Sequence, residues 1–300
     1  MKIIIDCDPG IDDALALLLA AASPELQLLA VTCVAGNRPV DTTTANARRV
    51  LDLAGAWRVP VYRGSGRPLA HPEPRCNEVH GLDGLGGIAL PPARSSIERH
   101  AVDCLFDTLS RCPPGTVTIV AIGPLTNLAL AELRHPGLLR RAACLAIMGG
   151  AAYCAGNVSP HAEFNFYADA LAAHVVLGAG ARVQLFGLDV TSQAVMDPAW
   201  VRSLAALPGA AARAAHEMLQ AYAAADPLLH DACPVAWLIE PRLFESRPHV
   251  AAVEWRDAIT EGQLRATPTD DAAQANIELV TQVDNARLLA LVRERLARLA

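Results

Sequence analysis

Lysine is almost missing from this 300-residue chain: Lys2 is the only one, and the other 24 of its 25 Lys and Arg residues are arginines. Schiff-base catalysis, a pyridoxal anchor and a phosphate-loop lysine each need an amine inside the fold, so those enzyme classes are excluded. The arginines are scattered among acidic residues, and the formal net charge is −6. Without a basic patch, nucleic acid is not an expected partner. The eight cysteines (7, 33, 76, 104, 112, 144, 154 and 233) form no C-x-x-C pair and sit mostly in apolar runs, as reduced core thiols do. No His/Cys spacing suggests zinc. The longest apolar stretch, 14–22, is too short to span a bilayer, and only five residues precede Asp6, which leaves no room for a signal-peptide core. A soluble, cytoplasmic protein with no membrane partner is expected. No internal repeat is visible, and the Ala-rich stretch 205–225 reads as plain helix former.

What the chain does have is 52% hydrophobic residues, enough for a large core and for one α/β domain over 1–300. Short β-rich runs (KIII, QLLAVTCV, VTIVAI, CLAIM, VQLFGL and a last one from Ile277) alternate with helical stretches. The helices are predicted from Asp12, over 41–54, from Asn127, from Tyr167, across 198–225, over 231–239 and at the end of the chain. Continuous apolar strands separated by helices predict a doubly wound, mostly parallel, Rossmann-like sheet flanked by helices on both faces. The Gly/Pro-rich stretch 63–94 is longer than a connection requires and is a candidate active-site wall.

Chemistry concentrates at the predicted strand ends, where open parallel sheets bind ligands. "DCDPGIDDA" places Asp6, Asp8, Asp12 and Asp13 within eight residues directly after the first strand. The helix dipole alone favours Asp12 and Asp13 at a helix start, by roughly 0.3 to 1 kcal/mol each. It does not explain Asp8, and four neighbouring carboxylates repel one another unless a cation sits between them. Oxygen donors suit Ca²⁺ or Mg²⁺. Successive helix residues point about 100° apart, so Asp12 and Asp13 are not expected to face one ion; one can hold metal and the other substrate. Further polar groups follow in Asn37, the "AIGPLTN" turn, "MGG", "GLDVT", the loop carrying Asn157, Glu163 and Asn165, and the pair His230-Asp231. Taken singly, Glu163 and Asn165 read equally well as loop and cap residues, and His230 as a helix-start histidine.

Together, "DCDPGIDDA", "VAGN", "HGLDGLGG", "IGPLTNLALA", "IMGG", "AEFNFYAD", "GLDVTSQA" and "HDAC" resemble the inosine-uridine preferring nucleoside hydrolase family, over nearly the whole chain and in the family's order. The resemblance implies an enzyme that cleaves the N-glycosidic bond of ribonucleosides to ribose and free base. It implies Ca²⁺ held by Asp8, Asp13, Asp231 and the Ile122 carbonyl, with Asp8 also taking the proton of the attacking water. Asp12, Asn37, Asn157, Glu163 and Asn165 would bind the ribose hydroxyls, and the Met148 backbone would line the sugar site. His80 and His230 match histidines at the nucleobase end, His230 being the better donor to the leaving base. A homodimer or homotetramer serving nucleoside salvage is implied as well.

The stretch 217–230, "EMLQAYAAADPLLH", is about eight residues shorter than the family pattern, and no tryptophan stands beside His230-Asp231 or in 63–94. A broad or pyrimidine-tolerant base preference is therefore expected, with Tyr222 either a partial substitute at the base or an ordinary helix surface residue. Two rival readings are a non-catalytic Ca²⁺-dependent nucleoside or ribose binder and a haloacid-dehalogenase-like phosphatase. The latter wants Thr or Val two residues after its Asp-x-Asp pair and a downstream lysine; here Pro9-Gly10 follows Asp8 and no lysine exists beyond Lys2. Asp6 is assigned no catalytic role.

Overall fold

The structure, a computed structural model, describes residues 1–92 and 99–299; residues 93 and 94 of the long loop lie outside the described residues. The first strand, β1 (Lys2–Cys7), is followed by α1 (Ile11–Ala21), β2 (Gln27–Cys33), α2 (Val40–Leu53) and β3 (Val61–Arg63). After the long loop come α3 (Ala101–Arg111), β4 (Val117–Ala121), α4 (Thr126–Arg134), β5 (Cys144–Met148), α5 (Phe164–Ala168), α6 (Ala170–Leu177) and β6 (Val183–Phe186). The remainder is α7 (Leu188–Thr191), α8 (Pro198–Leu204), α9 (Ala210–Tyr222), α10 (Ala232–Ile239), β7 (Phe244–Val253), β8 (Leu264–Pro268), β9 (Ile277–Val283) and α11 (Asn285–Leu296). Among the described residues no helix is long and apolar enough to cross a membrane.

The strands form one nine-stranded sheet in the order β3-β2-β1-β4-β5-β6-β9-β7-β8. The seven strands from β3 to β9 are parallel, and β7 pairs antiparallel with both β9 and β8. The apolar runs follow from burial on both faces. Along β1, Ile3, Ile5 and Cys7 enter the core under α1, α2 and α8 to α11, while Ile4 enters the core under α3, α4 and α6. β4 and β5 alternate in the same way, with Val120 and Ala146 on the first face and Ile119 and Leu145 on the second. Side chains that point to opposite faces and are covered on both must all be apolar. Helix α1 is buried all round for a related reason: it lies on the sheet and is covered by α2, α9, α10 and α11.

The topology fixes where a ligand can bind. From β1 the chain winds outward through β2 to β3, then crosses back to β4 on the other side of β1. At such a reversal the flanking connections leave in opposite directions and open a crevice beyond the carboxyl ends of β1 and β4. Asp8 follows β1 directly, and Ile122 follows β4. One element runs under the crevice and ties it together: Asn127, in the first turn of α4, donates to Asp6 Oδ2 at 2.9 Å and to the Cys33 carbonyl at 3.0 Å. Its Oδ1 accepts from Ser65 N at 2.9 Å, so three strand ends meet on one side chain. Replacing Asn127 with Ala leaves those buried groups short of a partner at roughly 1 to 3 kcal/mol for an unsatisfied group. A stability loss of about 3 kcal/mol or more in urea unfolding is expected; a loss under about 0.5 kcal/mol, within the range of an ordinary surface substitution, would contradict this role.

Candidate active site

The crevice is a cavity of about 390 Å³ whose lining includes Asp12, Asn37, His80, Ile122, Met148, Asn157, Glu163, Asn165, His230 and Asp231. Most of these come from the end of a strand or the start of a helix, brought there by the parallel topology, while His80 comes from the long loop and Asn157 from the loop between β5 and α5. Asp8 and Asp13 lie just beneath, 1% and 0% exposed.

The carboxylates are held by the turn that carries them. Asp13 stands at the third position of α1 and reaches back over the helix start: Oδ1 accepts from Asp8 N at 3.1 Å and Oδ2 from Gly10 N at 2.9 Å. Asn37 Nδ2 adds a third donor to Asp13 Oδ2 at 3.1 Å. Asp8 Oδ2 accepts from Asn37 N at 2.6 Å, while Asp8 Oδ1 is buried with no partner among the described residues. The backbone closes tightly around it. A Cβ on Gly36 would stand 2.0 Å from Asp8 Oδ2, and one on Gly123 would stand 2.4 Å from Asp8 Oδ1. Only glycine fits at either position.

Asp12, Asp13 and Asp231 each offer an oxygen, all within 4.8 Å of one another. This corrects the expectation that Asp12 and Asp13 point apart. In the first helical turn the side chains tilt toward the N-terminus, with no earlier turn in the way, and so converge ahead of the helix. Two unit charges at that separation repel by about 3 kcal/mol at an effective dielectric near 20, more than a helix dipole returns. The cost appears in the protonation. Burial, then the charge on Asp13, pushes Asp8 well above the carboxylate range. Burial and the Asp12 charge carry Asp13 up to about 8, and burial with the charges of Asp12, Asp13 and Asp8 raises Asp231. An all-oxygen donor set, an orphaned carboxylate oxygen and strong mutual repulsion fit a divalent cation. Asp6, below them, is pushed up to about 7 by burial and held by Thr32 Oγ1 at 2.5 Å and by Asn127.

The rest of the cavity divides between framework and open contact. Glu163 caps α5: Oε1 accepts from Asn165 N at 2.7 Å, and Oε2 from Gly150 N at 2.8 Å and Phe166 N at 3.2 Å. Asn157 Oδ1 accepts from Phe164 N at 3.0 Å, which pins the preceding loop. Asn165 Nδ2 donates to the carbonyls of Ile122 at 2.9 Å and Met148 at 3.2 Å. His80 Nδ1 accepts from Ile11 N at 3.1 Å, so its proton sits on Nε2, 3.8 Å from Asp12 Oδ1. Burial lowers the His80 pKa. His230 is clamped at both nitrogens, Nδ1 by Thr191 Oγ1 at 2.8 Å and Nε2 by Asp226 Oδ2 at 3.2 Å. Burial pulls its pKa down, but the Asp226 hydrogen bond and the surrounding negative charges outweigh it and leave it raised.

The long loop does form a wall, through Asn77, Val79 and His80. Tyr222 is no surface residue: it is 2% exposed and stacks on His80 with centroids 5.2 Å apart. Two participants had no signal of their own in the sequence, Asp226 and Asn127's link to Asp6. Thr191 was visible as a polar group in "GLDVT", yet it ends the short helix α7 rather than a strand.

Known proteins of one family match nearly the whole chain. The family described as inosine-uridine preferring nucleoside hydrolase matches residues 3–290. An inosine-uridine preferring nucleoside hydrolase of Leishmania major is 37% identical, over 87% of this chain and 86% of its own. A pyrimidine-specific ribonucleoside hydrolase of Photobacterium profundum is 38% identical over 98% of both. A solved purine-preferring ribonucleoside hydrolase from Gardnerella vaginalis superposes with a TM-score of 0.93 at 28% identity, covering 100% of this chain and 99% of that one.

The raised carboxylates set a direction for stability. Between pH 3.8 and about 8 the folded chain keeps a proton on Asp13 that the unfolded chain has released, and Asp8 and Asp231 shift in the same sense. Their contribution is therefore fully present below the unfolded pKa and is lost as pH rises through the folded one. Stripped of divalent cations, the protein is expected to melt at progressively lower temperature from pH 4 to pH 8, and added cation should raise the melting point more at pH 8 than at pH 5. A cation effect independent of pH would contradict the assignment.

Proposed function

The chain belongs to the inosine-uridine preferring nucleoside hydrolase family and hydrolyses the N-glycosidic bond of ribonucleosides, and we propose that it does so with Ca²⁺ held by Asp8, Asp13, Asp231 and the Ile122 carbonyl. The observation that carries this reading is Asp8 Oδ1, a buried carboxylate oxygen without a partner beside three converging carboxyl groups. Bound there, Ca²⁺ supplies positive charge that offsets the repulsion and acidifies water less than Zn²⁺ does, so a carboxylate base beside it is required.

Asp8 is that base: it takes the proton of the water that attacks the anomeric carbon. Its low exposure and two glycine neighbours keep the oxygen fixed, so little reorganisation precedes the transfer. Asp12, Asn37, Asn157, Glu163 and Asn165 bind the ribose hydroxyls, and the Met148 backbone lines the sugar. Glu163 and Asn157 also brace their own loop, so the sugar meets groups whose positions are set before it arrives. The bond breaks through an oxocarbenium-like state, and the negative carboxylates around the sugar stabilise the positive charge that develops on the ring.

The departing base leaves with the bonding electron pair and needs a proton. His230 supplies it: the ring is buried in the cavity wall, and the Asp226 hydrogen bond and surrounding negative charges raise its pKa, which favours the charged donor. His80, neutral and stacked on Tyr222, presents Nε2–H at the nucleobase end. No tryptophan among the described residues lines the cavity, which supports a broad or pyrimidine-tolerant preference. The family resemblance further supports a homodimer or homotetramer working in the cytoplasm.

Asp8→Ala should abolish release of reducing sugar from inosine, uridine, cytidine and adenosine; normal turnover would remove the base assignment, and nucleoside binding by the wild-type protein without release would leave a binder in place of an enzyme. His230→Ala should slow natural nucleosides by about 100-fold or more, the scale of general acid catalysis, while p-nitrophenyl riboside, whose leaving group needs no proton, changes little. Equal losses on both substrates would exclude the leaving-group role.

A further inference from the structure

Asp226 lies just after α9, four residues before His230, on the cavity wall. Its side chain is 25% exposed, whereas Asp8, Asp13 and Asp231 are 3% exposed or less. In the hydrolytic step described above it acts only through His230, whose charged form it favours, and no contact of its own with the substrate is assigned there. Its neighbours on that wall include Val79 and Ala225, which offer no side-chain hydrogen bond, and Asn77, whose Oδ1 is committed to Val79 N at 2.9 Å. Asp226 Oδ2 pairs with His230 Nε2 at 3.2 Å, and the other ring nitrogen is already held by Thr191.

We infer that Asp226 reads the nucleobase: its carboxylate accepts a hydrogen bond from an N–H on the base, so bases that carry such a donor are selected over similarly shaped bases that carry only acceptors. The inference rests on the assignment of His230 to the leaving base. When His230 Nε2–H turns to that base, Asp226 loses its donor and a partly buried carboxylate is left short of a partner. A base N–H replaces it. An ionised carboxylate only accepts, so a ring nitrogen lone pair brought to the same place is repelled. Unlike a stacking contact, which every base satisfies, this one discriminates.

The test compares kcat/KM for donor-bearing and donor-lacking pairs: inosine with purine riboside, and uridine with 2-pyrimidinone riboside, on wild type, Asp226→Asn and Asp226→Ala. Adenosine and cytidine, in the same panel, separate an exocyclic amine from a ring N–H as the donor that is read. Taking each ratio in the variant relative to the ratio in wild type cancels the intrinsic reactivity of the leaving groups. The donor preference should fall by about 10- to 100-fold in Asp226→Ala, the scale of a hydrogen bond to a charged group. It should fall as far or reverse in Asp226→Asn, which keeps the shape and brings N–H donors of its own. A role through His230 alone follows the leaving group's need for a proton, so the same comparison is made on the inhibition constants of the free bases, hypoxanthine against purine, which involve no bond cleavage; unchanged ratios of those constants in the isosteric Asn variant would overturn the inference. If wild type releases ribose from no nucleoside, the hydrolase reading itself falls, and the two failures are thereby distinguished.

Discussion

Crowded carboxylates buried in the fold are the constraint on which the rest of the structure depends. Asp8, Asp13 and Asp231 are all but fully buried, and their protons are held far above the usual carboxylate range by burial and by one another. Backbone N–H groups relieve part of this, as when Asp13 accepts from Asp8 and Gly10, but Asp8 Oδ1 finds no partner among the described residues. Burying carboxylates this closely destabilises the fold unless a cation compensates, so the arrangement makes physical sense as a cation site rather than as a way to stabilise the protein.

The sheet makes that arrangement possible. A reversal of strand order at β1 and β4 opens a crevice where strand ends deliver polar groups to one point, while the strands themselves stay apolar on both faces. Gly36 and Gly123 let the backbone press against Asp8, and Asn127 braces the layer below through Asp6. Another part of the wall is built differently. His230, Asp226, Tyr222 and His80 line a polar and aromatic part of the cavity, with His230 held from behind by the buried Thr191. The floor is rigid and anionic, suited to a developing positive charge; the wall is where identity of the base is decided.

Much of this was legible before any coordinates. Strands covered on both faces read as continuous apolar runs, and β1, β4, β5 and their helices fall where that pattern puts them. Strands β7 and β8 were not legible, because an edge pair needs only alternate burial: β7, "FESRPHVAAV", carries Arg247 and Pro248 and resembles a loop in composition. The short helix α7 was hidden for a similar reason, since four residues carry no helical period. At the site, motif spacing marked the residues that line the cavity, but not their mutual geometry. Helical periodicity separates Asp12 from Asp13, yet at a helix start both lean forward and meet. Tyr222 and Asp226 sit in an Ala-rich stretch without periodic contrast, and only the folded chain shows one stacked on His80 and the other on His230.

The buried carboxylates call for a cation, and hydrolysis depends on it. Ribose release from inosine and uridine should be measured on protein stripped of divalent ions and again after Ca²⁺ is restored, at constant pH near neutrality. Turnover should disappear on stripping and return with Ca²⁺. Full turnover in the stripped protein would contradict the claim that the buried carboxylates exist to hold a cation for the hydrolytic step.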